Sequence, residues 1–194
     1  MTNLAFSNVD SWAIWSVPTE SLAGKTAKER EQAFGAAYQP ETFPAAELPS
    51  DLGAALQASK FVLVGMNPGN AAVDHPADVD FLNFHGQKKS LDYRLAAAAY
   101  DTPAWGAFMT DLSGTIESDS TKVQITAADV VDLESHLDEL GVPSDATLIA
   151  MGGKTAAPLT KFAKRPVAQI QHYSGANGHW NAEDVHNKLV EITK

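Results

Sequence analysis

The chain has 194 residues, with 14 Lys and Arg against 24 Asp and Glu, for a formal net charge of −10. Its 44% hydrophobic and 20% charged residues are globular composition, which excludes a disordered or fibrous chain. The absence of cysteine excludes a disulfide framework, an iron–sulfur cluster and a thiolate zinc site. An acidic surface repels polyanions at long range, so a generic nucleic-acid or membrane coat protein is disfavoured. The amino terminus, MTNLAFSNVDSW, has no basic region leading into an apolar stretch, and no window approaches the ~18 apolar residues of a membrane span. The expectation is one soluble, cytoplasmic domain over residues 1–194, a monomer with no membrane partner and no cofactor.

The first 50 residues differ in texture from the rest. Trp12 and Trp15 lie in a short apolar stretch, Lys25 to Tyr38 reads as a helix of mixed charge, and Pro40 to Pro49 is a proline-broken loop. This part reads as a helical and loop extension packed on the body. Ser50 caps a short helix running to about Ser59. Phe61 to Gly65 (FVLVG) is a continuous apolar run, as in a strand covered on both faces. Ser90 to Tyr100 reads as a helix and Ala107 to Leu112 as a second strand. Thr126 caps a helix whose apolar stripe is Val130, Leu133, Leu137 and Leu140, closed by Gly141 and Pro143. Ala146 to Met151 is a third strand, Thr155 to Lys164 a helix, Pro166 to Gln171 a fourth strand, and Asn181 to Thr193 a final helix. Alternation of this kind gives an α/β fold, a three-layer α/β/α sandwich around a four-stranded parallel sheet.

Ligands of such sheets sit beyond the carboxyl ends of the strands. The first strand runs into Gly65-Met66-Asn67-Pro68-Gly69, a tight turn that can hold the Asn67 amide over a cleft to orient water or a polar substrate. The same residues also read as a plain strand-exit turn. The fourth strand runs into His172-Tyr173-Ser174-Gly175-Ala176-Asn177. There an imidazole can donate to developing negative charge, or can be a histidine satisfied at a loop edge.

GMNPG after an apolar strand, followed at a distance by HYSGAN, resembles the two motifs of the uracil-DNA glycosylase superfamily, nearest its single-strand-selective and mismatch-specific branches. The resemblance spans roughly Phe61 to Lys194 and implies a DNA glycosylase that flips a damaged base out of the stack and hydrolyses its N-glycosidic bond. By motif match, Asn67 would position the hydrolytic water and His172 would hydrogen-bond the departing base. Phe84, in the Asn83-Phe84 segment, would stack on the base, with Gly65 and Met66 beside it. Ser174, Gly175, Ala176 and Asn177 would contact the DNA. Two positions depart from the pattern. Tyr173 stands where a proline is usual, adding bulk beside the DNA. Thr110-Asp111 stands where related enzymes place an asparagine that reads the base edge, and an ionised carboxylate accepts but cannot donate.

Residues 152–182 carry Lys154, Lys161, Lys164 and Arg165 and no acid, a candidate basic rim for single-stranded or mismatched DNA in which Lys154 is a candidate DNA contact. Gly153-Lys154-Thr155 is not a nucleotide-binding P-loop, because Leu148 stands where that loop needs glycine. The six histidines lack the close pairs of a zinc site, so no metal is expected. The four tryptophans read as core or rim packing. A second class stays open, a glycosylase-fold protein of weak or no activity that binds a nucleotide or a protein partner.

Overall fold

The computed structural model describes residues 4–75, 79–174 and 178–194. Four strands form a parallel block: β2 (Phe61–Gly65), β3 (Phe108–Asp111), β4 (Thr147–Met151) and β5 (Val167–Ile170). The expected four-stranded sheet is incomplete, because a fifth strand, β1 (Ser11–Trp12), lies antiparallel along β3, with Ser11 opposite Met109 and Trp12 opposite Phe108. The spatial order is β1-β3-β2-β4-β5. Two residues are too few for any periodicity to announce a strand. β1 is made by its partner and by burial of Trp12, which is 1% exposed, in the core. The amino-terminal segment therefore enters the sheet itself.

Helices α1 (Ala27–Ala37), α2 (Leu52–Gln57), α3 (Tyr93–Ala99), α4 (Ala127–Glu139), α5 (Gly153–Phe162) and α6 (Ala182–Ile192) cover both faces. Alternate strand residues feed two cores, as the two-residue period of a strand requires. Val62, Val64, Phe108, Leu148 and Ala150 pack with Leu56, Val130, Leu137 and Leu159 of α2, α4 and α5. Leu63, Met109 and Ile149 pack with Phe34, the alanines of α3 and Val185 and Leu189 of α6. The stripe on α4 is buried at Val130, Leu133, Leu137 and Leu140, and Thr126 closes a capping box with Asp129.

Several boundaries shift for local reasons. Helix α2 starts one residue later than expected, because Asp51 rather than Ser50 accepts from the Ala54 N–H. Helix α3 starts at Tyr93 because Leu91 sits in the left-handed region, at φ 63°. Helix α5 starts two residues early because Gly152, at φ 89°, turns the chain straight out of β4.

Candidate functional site

From β2 the chain moves to β3 on one side and then returns past β2 to β4 on the other. The carboxyl ends of β2 and β4 are thus the point where the connections diverge, and a crevice opens there. It is a cleft of about 950 Å³, lined by Met66 and Asn67 after β2, Asn83 and Phe84, Asp111 at the end of β3, Gly152 to Lys154 after β4, and His172 to Ser174 after β5. The structure thus brings to one cleft Met66, Asn67, Asn83, Phe84, Asp111, Lys154, His172 and Ser174. Gly175, Ala176 and Asn177 lie outside the described residues.

Asn67 is held by its nitrogen. Nδ2 lies 2.9 Å from the Pro68 carbonyl, 2.9 Å from that of Thr115 and 2.7 Å from that of Glu117. Three carbonyls around one amide nitrogen fix the flip, since the opposite orientation would set oxygen against oxygen. Among the described residues the amide oxygen accepts no hydrogen bond, so it is the atom left for a ligand or a water. The same contacts draw residues 115–120 into a wall of the cleft, reinforced by a reciprocal pair in which Asn70 N donates to Ser118 Oγ and Ser118 N to Asn70 Oδ1. Sequence reasoning missed this wall. The stretch SGTIESDSTK has turn composition and carries no pattern that names its partner.

His172 accepts a 3.0 Å hydrogen bond from Ser174 N at Nδ1, which places its proton on Nε2. Burial pushes its pKa down to about 4, so the ring is neutral at physiological pH. It stacks on Tyr173 at 4.6 Å between ring centroids. The bulk of Tyr173 does not stand out toward a DNA strand as expected. The side chain is buried in the core with α3 and α6, and burial raises its hydroxyl pKa well above the ordinary value.

Thr110 and Asp111 separate, as neighbours on a strand must. Thr110 is 1% exposed and donates to Asp10 Oδ1 at 2.7 Å. Asp10 also accepts from Ser7 N and from His136 Nε2, whose pKa the carboxylate raises. Thr110 therefore belongs to a buried network against α4 and is not among the residues that line the cleft. Asp111 faces the cleft. Its Oδ2 accepts from Asn83 Nδ2 at 2.9 Å, while Oδ1 has no partner among the described residues. Burial pushes its carboxyl up to about 7, opposed by the Asn83 bond and reinforced by Asp10.

Gly65 lies beneath this group. A Cβ there would overlap Asp111 Oδ1 and come within 2.8 Å of Phe84 Cε1, so only glycine lets the carboxyl and the ring sit over the strand end. Phe84 holds a left-handed backbone, φ 69°, as does Phe81 at φ 62°. The segment carrying them is clamped to the amino-terminal strand: Ser11 Oγ donates to Phe81 O, Asn83 Nδ2 to Val9 O, and His85 Nε2 to Trp12 O.

The basic rim is smaller than expected. Arg165 is buried against Asp138 and the Val142 and Pro143 carbonyls, and Lys161 rests on Phe162. Lys154 lines the cleft, with Nζ 2.8 Å from Ser120 Oγ, and Lys89, which the sequence reading passed over, lines it as well. Among the described residues, no group of three or more His, Asp or Glu could hold a metal ion, and no helix is long and apolar enough to cross a membrane. No family model matches the chain, and no curated protein matches it.

Proposed function

We propose that this chain is a glycosylase of the uracil-DNA glycosylase type, hydrolysing the bond between a base and its deoxyribose. The observation that carries the reading is a neutral imidazole, proton on Nε2, in the same strand-end cleft as an asparagine whose amide oxygen is left available. The base enters the cleft after unpairing, at a cost of a few kcal/mol, and stacks on Phe84. Water donates to Asn67 and attacks C1′ as the glycosidic bond breaks, the bonding electron pair leaving with the base. The base departs as an anion, and His172 Nε2–H donates to it. A neutral donor suits this task, because charge develops only in the transition state. The water oxygen ends on C1′ and its proton balances the released base.

A second reading, a binding protein that has kept the cleft without the hydrolysis, draws on the three carbonyls that make Asn67 a structural clamp. One experiment separates the two. Base release is measured from single-stranded oligonucleotides containing uracil, hypoxanthine, xanthine or cytosine, with Asn67→Ala and His172→Ala beside the wild type. Release that falls at least ~100-fold in both variants supports the enzyme, since such groups contribute several kcal/mol. No release of any base, single- or double-stranded, leaves the binding protein.

A further inference from the structure

We infer that Asp111 is the specificity-determining group of this cleft and that it selects a ring bearing an exocyclic amino group, a 4-amino-2-oxopyrimidine of the cytosine class, over the dicarbonyl ring of uracil. The inference rests on the glycosylase reading for its reaction and on the geometry around Asp111 for its specificity.

Three observations carry it. Asp111 is 5% exposed and stands at the end of β3, lining the cleft beside the Phe84 ring. Asn83 donates both of its amide hydrogens, one to Val9 O at 2.6 Å and one to Asp111 Oδ2 at 2.9 Å. Asn83 therefore has no hydrogen left to offer a ligand carbonyl. Asp111 Oδ1 is a buried oxygen with no partner among the described residues. An ionised Oδ1 is an acceptor only, so the ring edge that meets it must present N–H. Uracil offers one N–H between two carbonyls, and the outer carbonyl would be buried here without a donor. An amino group at that position presents N–H directly to Oδ1, so no carbonyl is buried against the carboxylate. A buried polar atom left unpaired is the strongest basis on which a site rejects a close analogue.

The clamp on Oδ2 makes the inference sharp in two further states. In Asp111→Asn, Asn83 still needs an acceptor, so the new amide must turn its oxygen to Asn83 and its NH2 to the cleft. Protonated Asp111 likewise keeps Oδ2 as acceptor and carries its hydrogen on Oδ1. Both states present a donor, and both should prefer a carbonyl. The ionisable groups that face Asp111 are Asp10, from the amino-terminal segment, and Tyr173, after β5. Tyr173 stays neutral throughout the range used, and Asp10 is held by Thr110, Ser7 and His136.

The test is calorimetric binding of the free bases cytosine and uracil to the full chain at pH 8.5 and pH 6, for wild type and Asp111→Asn, alongside release from cytosine and uracil oligonucleotides. The expected result is cytosine bound at least about tenfold tighter than uracil by the wild type at pH 8.5. The preference should shrink or reverse at pH 6 and reverse at both pH values in Asp111→Asn. Equal binding of both bases, or a preference for uracil at pH 8.5, overturns the inference. Because the pH arm uses the unaltered protein, a misfolded variant cannot rescue it. Selective binding of cytosine without release from any oligonucleotide would keep the specificity and remove the glycosylase reading. Release of uracil by a protein that does not discriminate between free bases would do the reverse.

Discussion

Two side chains show how burial decides protonation here. His172 is held neutral, its pKa pushed down to about 4 by burial, and its tautomer is set by the Ser174 N–H. An NMR titration should place the His172 midpoint near 4, well below the ordinary value of about 6.5. A midpoint near 6.5 would remove the neutral donor from the mechanism. Asp92 is the opposite case. Its carboxyl is 0% exposed and accepts from Trp15 Nε1 and Tyr38 Oη, yet burial pushes it up to about 7. Its folded value lies above its unfolded one, so its contribution to stability is present below about pH 4 and is lost as pH rises to about 7. Asp92→Asn should therefore gain stability relative to the wild type by about 1.4 kcal/mol per pH unit across that window. Denaturant melts at pH 4.5, 5.5 and 6.5 measure this, and a flat difference would show Asp92 ionised in the fold.

Among elements, β1 and the Phe81–His85 segment act as a unit. Two phenylalanines in the left-handed region cost roughly 1–3 kcal/mol each, and such strain persists only where the surroundings over-determine it. Here the surroundings are three side chain to backbone bonds between residues 9–12 and 81–85. Asn83→Ala leaves the Val9 carbonyl and Asp111 Oδ2 without their donor. It should cost about 1–3 kcal/mol, read from a denaturant midpoint, and should abolish base discrimination at the same time. Trp12→Ala opens a cavity at the edge of the sheet and should cost about 3–5 kcal/mol. If stability falls and base binding survives in both variants, the strand is structural and does not position the Phe84 segment.

For the molecule as a whole, the net charge of −10 and the small cationic rim set the scale of any DNA affinity. Lys154 and Lys89 line the cleft, while Arg165 is committed to α4. Contact with about two or three phosphates gives a log–log salt slope near −2 for a single strand, shallow for a DNA-binding protein. Fluorescence anisotropy at 50 to 200 mM salt measures the slope, and Lys89→Ala should reduce its size by about 0.7. An unchanged slope would place the strand away from Lys89.

By itself the sequence determined the alternation of elements, the strand-end positions of Asn67 and His172, and the α4 stripe, because each is written in a local period or a turn of short range. FVLVG and ATLIAM are apolar runs of strand length and both form strands, and Thr126 to Pro143 carries its own cap, stripe and stop. Only the tertiary structure decided the rest. β1 exists because β3 offers it an edge, and Thr110 and Asp111 parted because strand neighbours face opposite layers. Arg165 left the rim when α4 supplied Asp138, and the 115–120 wall closed on Asn67 through backbone carbonyls that every residue possesses. Contacts of this sort join residues 27 to 100 positions apart, through groups that no local pattern marks, so they become visible only when the chain has folded.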